Sequence, residues 1–195
     1  MNNINILFDD KLILKRVACV VMMELAFMTK IRYGDEDEAY EALCYVFGKI
    51  LNEFEDDPNE GFKKIKAISL RLLETPRAKV KKAVFRALAK IGFYDKELFE
   101  KAYEILLRDP DVEVRKKVEE SIIEILKRTQ KKKEALKDII KAITEKGIRL
   151  SPVDIVKAVG IDVAKSLMNE LENEEKSILE FAIKESSTQL SLIHI

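Results

Sequence analysis

Helix punctuation recurs along this chain so regularly that little room is left for any other element. All four prolines follow a residue able to cap a helix: Asp57 before Pro58, Thr75 before Pro76, Asp109 before Pro110 and Ser151 before Pro152. A proline at the first helical position loses no hydrogen bond and its fixed φ suits the helix, while the preceding side-chain oxygen accepts an orphaned backbone N–H. Glu60 and Asp154 stand three residues after two of these caps, in a capping-box-like pattern. Gly34, Gly92, Gly147 and Gly160 each fall just after an apolar-periodic run, where a left-handed residue ends a helix at little cost.

Starts and stops together predict helices over 10–33, 35–55, 58–73, 76–91, 95–108, 110–128, 131–146, 152–159, 162–172 and 174–186. No window between turn signals alternates with period two over the length of a strand, so no sheet is expected. Connections of one to a few residues force neighbouring helices to run antiparallel. With 47% hydrophobic and 36% charged residues and only six glycines, the composition is that of a helical chain rather than a disordered one. No Gly/Ser/Pro-rich linker divides the 195 residues, which predicts one domain over 1–189.

The chain also matches itself. A shift of 34 positions lays Thr75, Pro76, Val80, Lys81, Val84, Leu88 and Ile91 onto Asp109, Pro110, Val114, Arg115, Val118, Ile122 and Ile125. The preceding helices agree, Leu72 and Leu73 falling on Leu106 and Leu107. Such a unit has an apolar face that it must cover with its neighbours. The segment Asp109-Pro-Asp-Val-Glu-Val-Arg115, followed by Val118 and Ile122, resembles the second helix of a HEAT repeat, and Thr75 to Leu88 is a weaker copy. The clearest repeats are 58–92 and 93–128. The resemblance implies an all-α, HEAT-like (armadillo-type) α-solenoid, a right-handed superhelical stack of antiparallel helical hairpins with about ten helices. The 34-residue spacing is shorter than the ~40–47 residues of HEAT units and equals the tetratricopeptide period. Aligning Pro110 with the closing proline of a tetratricopeptide unit, however, puts Leu98, Ala102 and Ile105 where that motif wants Ala, an aromatic and Ala.

Recognisable catalytic constellations are missing. Nucleophilic triads and zinc or iron sites of the common kinds need histidine, and the sole one is His194. It lies in Leu190-Ser-Leu-Ile-His-Ile195, which is what CTG TCT CTT ATA CAC ATC encodes, a sequence that resembles the mosaic end of a sequencing-library transposon adapter. The expectation is a non-native tail over 190–195 and a native frame that runs on past about Gln189, so that the chain is a fragment of a longer one; the alternative is a natural apolar tail docked on the last helix. No GxxxxGK or GxGxxG loop is present. Carboxylate pairs such as Asp56 with Asp57 and Glu119 with Glu120 read as solvated surface. The expectation is a protein without cofactor or metal that is not an enzyme. Cys19 and Cys44 lack metal-type spacing and read as buried reduced thiols. Val17 to Met28 is too short to span a bilayer and carries Glu24, so a buried helix is expected there and no membrane partner. A cytoplasmic location follows from these readings.

Thirty-five basic and 35 acidic residues balance, yet they are segregated. Residues 35–60 carry ten acids against Lys49, a net of −9, and residues 62–90 carry ten bases against Glu74, a net of +9. In the helix over 76–91, Lys79, Lys82, Arg86 and Lys90 share one face, opposite Val80, Val84, Ala87, Leu88 and Ile91. A secondary basic cluster, Lys127, Arg128, Lys131, Lys132 and Lys133, crosses the turn from the helix over 110–128 into the next. One reading makes these solvated faces, partly neutralised by the acidic helix over 35–55. The other makes the strip a contact surface, which the HEAT resemblance places on the concave side. The following helix interleaves Glu113, Lys116, Lys117, Glu120 and Glu124, and this mixture favours a protein partner over a phosphate track. The expected contact residues are Lys79, Lys82, Arg86, Lys90, Lys116 and Glu120, on a protein-binding scaffold whose partner and oligomeric state stay open. The alternative is nucleic-acid binding by the same strip, as in the HEAT-like DNA-alkylation-repair glycosylases, whose aromatic and acidic groove residues find no match here. Phe85, Phe93, Tyr94, Phe99 and Tyr103 near the strip sit at core spacing and read as packing.

Overall fold

The computed structural model describes residues 27–193, with side chains as far as residue 188. Every element among the described residues is helical. The helical residues 27–33 (α1) precede α2 (Glu36–Glu53), α3 (Pro58–Leu73), α4 (Ala78–Ile91), α5 (Lys96–Arg108), α6 (Val112–Arg128), α7 (Lys132–Lys146), α8 (Pro152–Val159), α9 (Ile161–Leu167), a 3₁₀ turn (Met168–Glu170) and α10 (Asn173–Ile193). The rest of the helix expected over 10–33 lies outside the described residues, as do Cys19, His194 and the side chains of the 190–195 tail. Cys44 is a free, half-buried thiol, and Met28 is 53% exposed rather than buried. No helix among the described residues is long and apolar enough to cross a membrane.

The caps explain most boundaries and also the departures. Asp57 and Ser151 cap α3 and α8 with proline at the first turn, accepting the N–H groups of Glu60 and Asp154. The full reciprocal capping box forms instead on α2. There the Asp35 carboxylate accepts the Glu38 N–H at 2.8 Å, and the Glu38 carboxylate accepts the Asp35 N–H at 3.0 Å. Pro76 and Pro110 do not open helices. The Thr75 N–H bonds to the Leu72 carbonyl in the turn that closes α3, and α4 begins only after Arg77 without a side-chain cap. Asp109 is engaged by Lys81 and by the Asp111 N–H, so Asp111 caps α6 through the N–H groups of Glu113 and Val114.

Gly92 and Gly147 end α4 and α7 in the left-handed region, at φ 65° and 68°. Gly34 ends α1 without a positive φ. Its missing Cβ matters for space, since one would stand 2.7 Å from the Glu38 carboxylate that completes the α2 capping box. The last helix continues to Ile193, past the expected 186, because Ser187-Thr-Gln-Leu190 holds no helix breaker.

Two layers result. Successive even-numbered helices pack side by side, α2 on α4, α4 on α6, α6 on α8 and α8 on α10, while α3, α5, α7 and α9 line up in the same order beside them. The most extensive helix pairs are α4 with α6 and α4 with α2, so α4 is the most closely flanked helix of the even layer. Its face of Val80, Val84, Ala87 and Leu88 is buried as the periodicity predicts, whereas Ile91 is half-buried. Buried apolar side chains form one cluster from Ile31 to Ala182. Phe85, Tyr94, Phe99 and Tyr103 belong to it, with Tyr94 and Tyr103 each edge-on to Phe99.

Candidate functional site: the α2–α4–α6 face

The outer face of α4 is basic because its register places Lys79, Lys82, Arg86 and Lys90 away from the core, and the first turn of α2 brings acids to meet it. Lys82 Nζ stands 2.6 Å from Glu36 Oε2. The Arg86 guanidinium stands 3.0 Å from Glu36 Oε1 and 2.8 Å from Asp37 Oδ1. Lys79 donates to the Gly34 carbonyl, and Arg77 to the Arg32 carbonyl. These cations thus stitch α4 to the α1–α2 corner. Arg86 also lies over the Tyr40 ring, 4.2 Å from its centroid. Burial lowers the guanidinium's pKa, but the hydrogen bonds to Asp37 and Glu36 outweigh that and raise it.

What remains open is mixed in sign. Lys90 and Lys116 are exposed and make no ion pair among the described residues. Glu120 is held by Lys117 at 2.6 Å, a hydrogen bond that lowers its pKa. Glu124 takes Lys127 at 3.2 Å and Arg128 at 2.7 Å. Between the three helices lies an open cleft of about 320 Å³ whose lining includes Tyr40, Arg86, Lys90, Lys117, Glu120 and Glu124. The structure therefore gathers Arg86, Lys90 and Glu120 from the predicted set at one cleft and places Lys79 and Lys82 against the α1–α2 corner.

The secondary basic cluster is divided. Lys127 and Arg128 belong to the last turn of α6, and Lys133 at the start of α7 reaches Glu170 at 2.5 Å. Lys131 and Lys132 make no ion pair among the described residues. Only Arg128 of the five lines the α2–α4–α6 cleft, where it also donates to the Lys90 carbonyl at 3.0 Å.

Tyr40, Lys117 and Glu124 are contributors that strip-by-strip reading misses. Tyr40 was findable, lying three and four residues after Asp37 and Glu36 on one helical face. The Glu119–Glu120 pair needs a correction, because it is not uniformly solvated. Glu119 is half-buried, and burial, together with the negative charges of Asp154 and Glu120, raises its pKa while that of Glu120 is lowered.

No protein-family model matches the chain, and no curated protein matches it. Among solved structures, the crystal structure of an engineered protein from the Northeast Structural Genomics Consortium is similar to it. The identity is 19% over 89% of this chain and 83% of that one, with a TM-score of 0.37.

Proposed function

We propose that this chain is a non-catalytic, HEAT-like α-solenoid that presents its α2–α4–α6 face to a protein partner. The observation that carries the reading is the sign pattern on that face. Lys82 and Arg86 are neutralised by Glu36 and Asp37, so no uniform positive track runs along α4, while Arg86, Lys90, Lys117, Glu120 and Glu124 leave both signs around an open cleft. Interleaved charges select a complementary protein surface and disfavour a polyanion of one sign. The two layers of alternating helices support the solenoid part of the reading, because stacked hairpins yield that neighbour pattern.

The test compares partner recovery by the wild-type chain, by K90E/K116E and by K82E/R86E. Lys90 and Lys116 carry no ion pair among the described residues, so their reversal leaves the helix packing alone and is expected to abolish recovery. Equal recovery of every partner by K90E/K116E counts against this face. Titration with duplex DNA at two salt concentrations supplies the contrast: tight binding that weakens steeply with salt moves the function to nucleic acid.

A further inference from the structure

A second cleft, about 670 Å³, lies where the N-terminal part of α3 meets the α4–α5 and α6–α7 turns. Its apolar lining comes from three separate elements: Phe62 on α3, Ile91 at the end of α4 and Phe93 in the turn that follows. All three are only half-buried. The Phe62 and Phe93 rings stack at 4.8 Å between centroids and 13° between planes, which holds the apolar floor in a fixed position. Gly92 makes this geometry possible, since its left-handed φ turns the chain back so that Phe93 returns toward α3.

The lining carries four basic side chains, Lys63, Lys66, Arg128 and Lys131, against one acid, Asp95. Beside the cleft, Lys63 shares the Glu60 carboxylate with Lys64, at 3.4 and 3.9 Å, and Arg128 shares Glu124 with Lys127. Lys131 is exposed and makes no ion pair among the described residues. Only at Lys66 does the balance reverse, where Asp95 at 3.3 Å and Glu97 at 2.7 Å hold one ammonium. An apolar floor beneath a basic rim that neighbouring acids neutralise only in part is complementary to an anionic chain that carries an apolar side chain.

We infer that this turn-edge cleft docks an acidic protein segment, inserting an aromatic or aliphatic side chain against Phe62 and Phe93 while its carboxylates face Lys63, Arg128 and Lys131. A compact anion such as phosphate calls for donors converging on one point, whereas these cations are spread round a trough whose floor is hydrocarbon. The site is separate from the α2–α4–α6 face, with Arg128 alone lining both.

The experiment titrates the ¹⁵N-labelled chain with a short Asp/Glu-rich peptide bearing one Phe and one Leu, beside the same peptide with both replaced by Ser. The anchored peptide is expected to move the amide resonances of residues 92–95 and 129–131 and to bind at least about tenfold more tightly than the Ser peptide. K63E/K131E, a change of two exposed side chains that leaves the fold intact, is expected to weaken it by about tenfold or more at low salt. F93S is expected to abolish the difference between the two peptides. K90E/K116E is expected to change nothing, which separates this site from the face of the proposed function. The inference is overturned by shifts confined to the α2–α4–α6 face, by equal binding of the two peptides, by unaltered binding to K63E/K131E, or by no binding at low salt.

Discussion

The ammonium of Lys81 on α4 lies 2.6 Å from Oδ2 of Asp109, and this contact ties the α3–α4 hairpin to the α5–α6 hairpin. Asp109 is only 8% exposed, and its other oxygen accepts the Asp111 N–H at 3.0 Å. Arg115 donates to its backbone carbonyl. Burial pushes the carboxyl's pKa up. The hydrogen bonds from Lys81 and the Asp111 N–H, with the charges of Lys81 and Arg115, outweigh burial and hold it below the ordinary carboxylate range.

Asp109→Asn removes the charge from a pair that is mostly out of water and leaves Lys81 without its partner. Urea unfolding at neutral pH should show a loss of about 1–3 kcal/mol. Because the folded-state pKa is depressed, the stabilisation is present above the unfolded value of about 3.9 and lost as pH falls through the folded one. The gap between wild type and variant should therefore close below about pH 4. Equal midpoints at pH 7 would remove this contact from the forces joining the hairpins.

Gly92 and Gly147 share a left-handed φ but not an environment. A Cβ at Gly92 would stand 2.7 Å from Cβ of Arg128, whereas one at Gly147 meets nothing within 4 Å. Gly147→Ala should cost about 1 kcal/mol, from the backbone alone. Gly92→Ala should cost about 1 kcal/mol more, because α6 must shift or the turn must open. Thermal unfolding of the two variants gives the difference directly, and equal losses would show that the close approach of the α4–α5 turn to α6 is not rigid.

The pairing of Glu36 with Lys82 and Arg86 predicts that the α1–α2 corner docks on α4 partly through charge. Glu36→Lys should destabilise by about 1–2 kcal/mol, because it sets like charges beside each other in a half-buried site. Adding Lys82→Glu to that variant should recover part of the loss, because that pair is then reversed in sign while Arg86 keeps Asp37. Denaturant midpoints at low and high salt check this, and a double variant no more stable than the single one would mean that the ions contribute little.

Much of this was legible, and the exceptions share a cause. Asp57-Pro58 and Ser151-Pro152 set helix starts because a cap needs only local chain. Asp109-Pro110-Asp111 offers two candidate caps two residues apart, and the choice falls to Lys81, 28 residues earlier, which claims Asp109. The missed α2 capping box was local and readable, as Asp35 followed three residues on by Glu38. The basic strip of α4 shows plainly in the sequence, but how much of it is neutralised depends on the register between α2 and α4. Both clefts escape one-dimensional reading altogether, since Phe62 and Phe93, or Tyr40 and Glu124, become neighbours only after separate hairpins have packed.

Two buried tyrosines make opposite predictions. The Tyr94 hydroxyl donates to the Asp138 carboxylate, while the Tyr103 hydroxyl is buried without a hydrogen-bond partner among the described residues. Tyr94→Phe should cost about 1–2 kcal/mol, from a lost bond to a charged acceptor. Tyr103→Phe should be neutral or stabilising by up to about 1 kcal/mol, because it deletes an unsatisfied polar atom and keeps the ring. Both pKa values are raised: that of Tyr94 by burial and then by its bond to Asp138, that of Tyr103 by burial and then by the charges of Asp138 and Glu100. The unfolded tyrosines ionise near pH 10 while the folded ones stay protonated, so their contribution is intact below about pH 10 and lost as pH rises above it. The double variant should therefore lose less stability than wild type between about pH 10 and 11.5. A Tyr103→Phe chain as destabilised as Tyr94→Phe would show that the Tyr103 hydroxyl does have a partner.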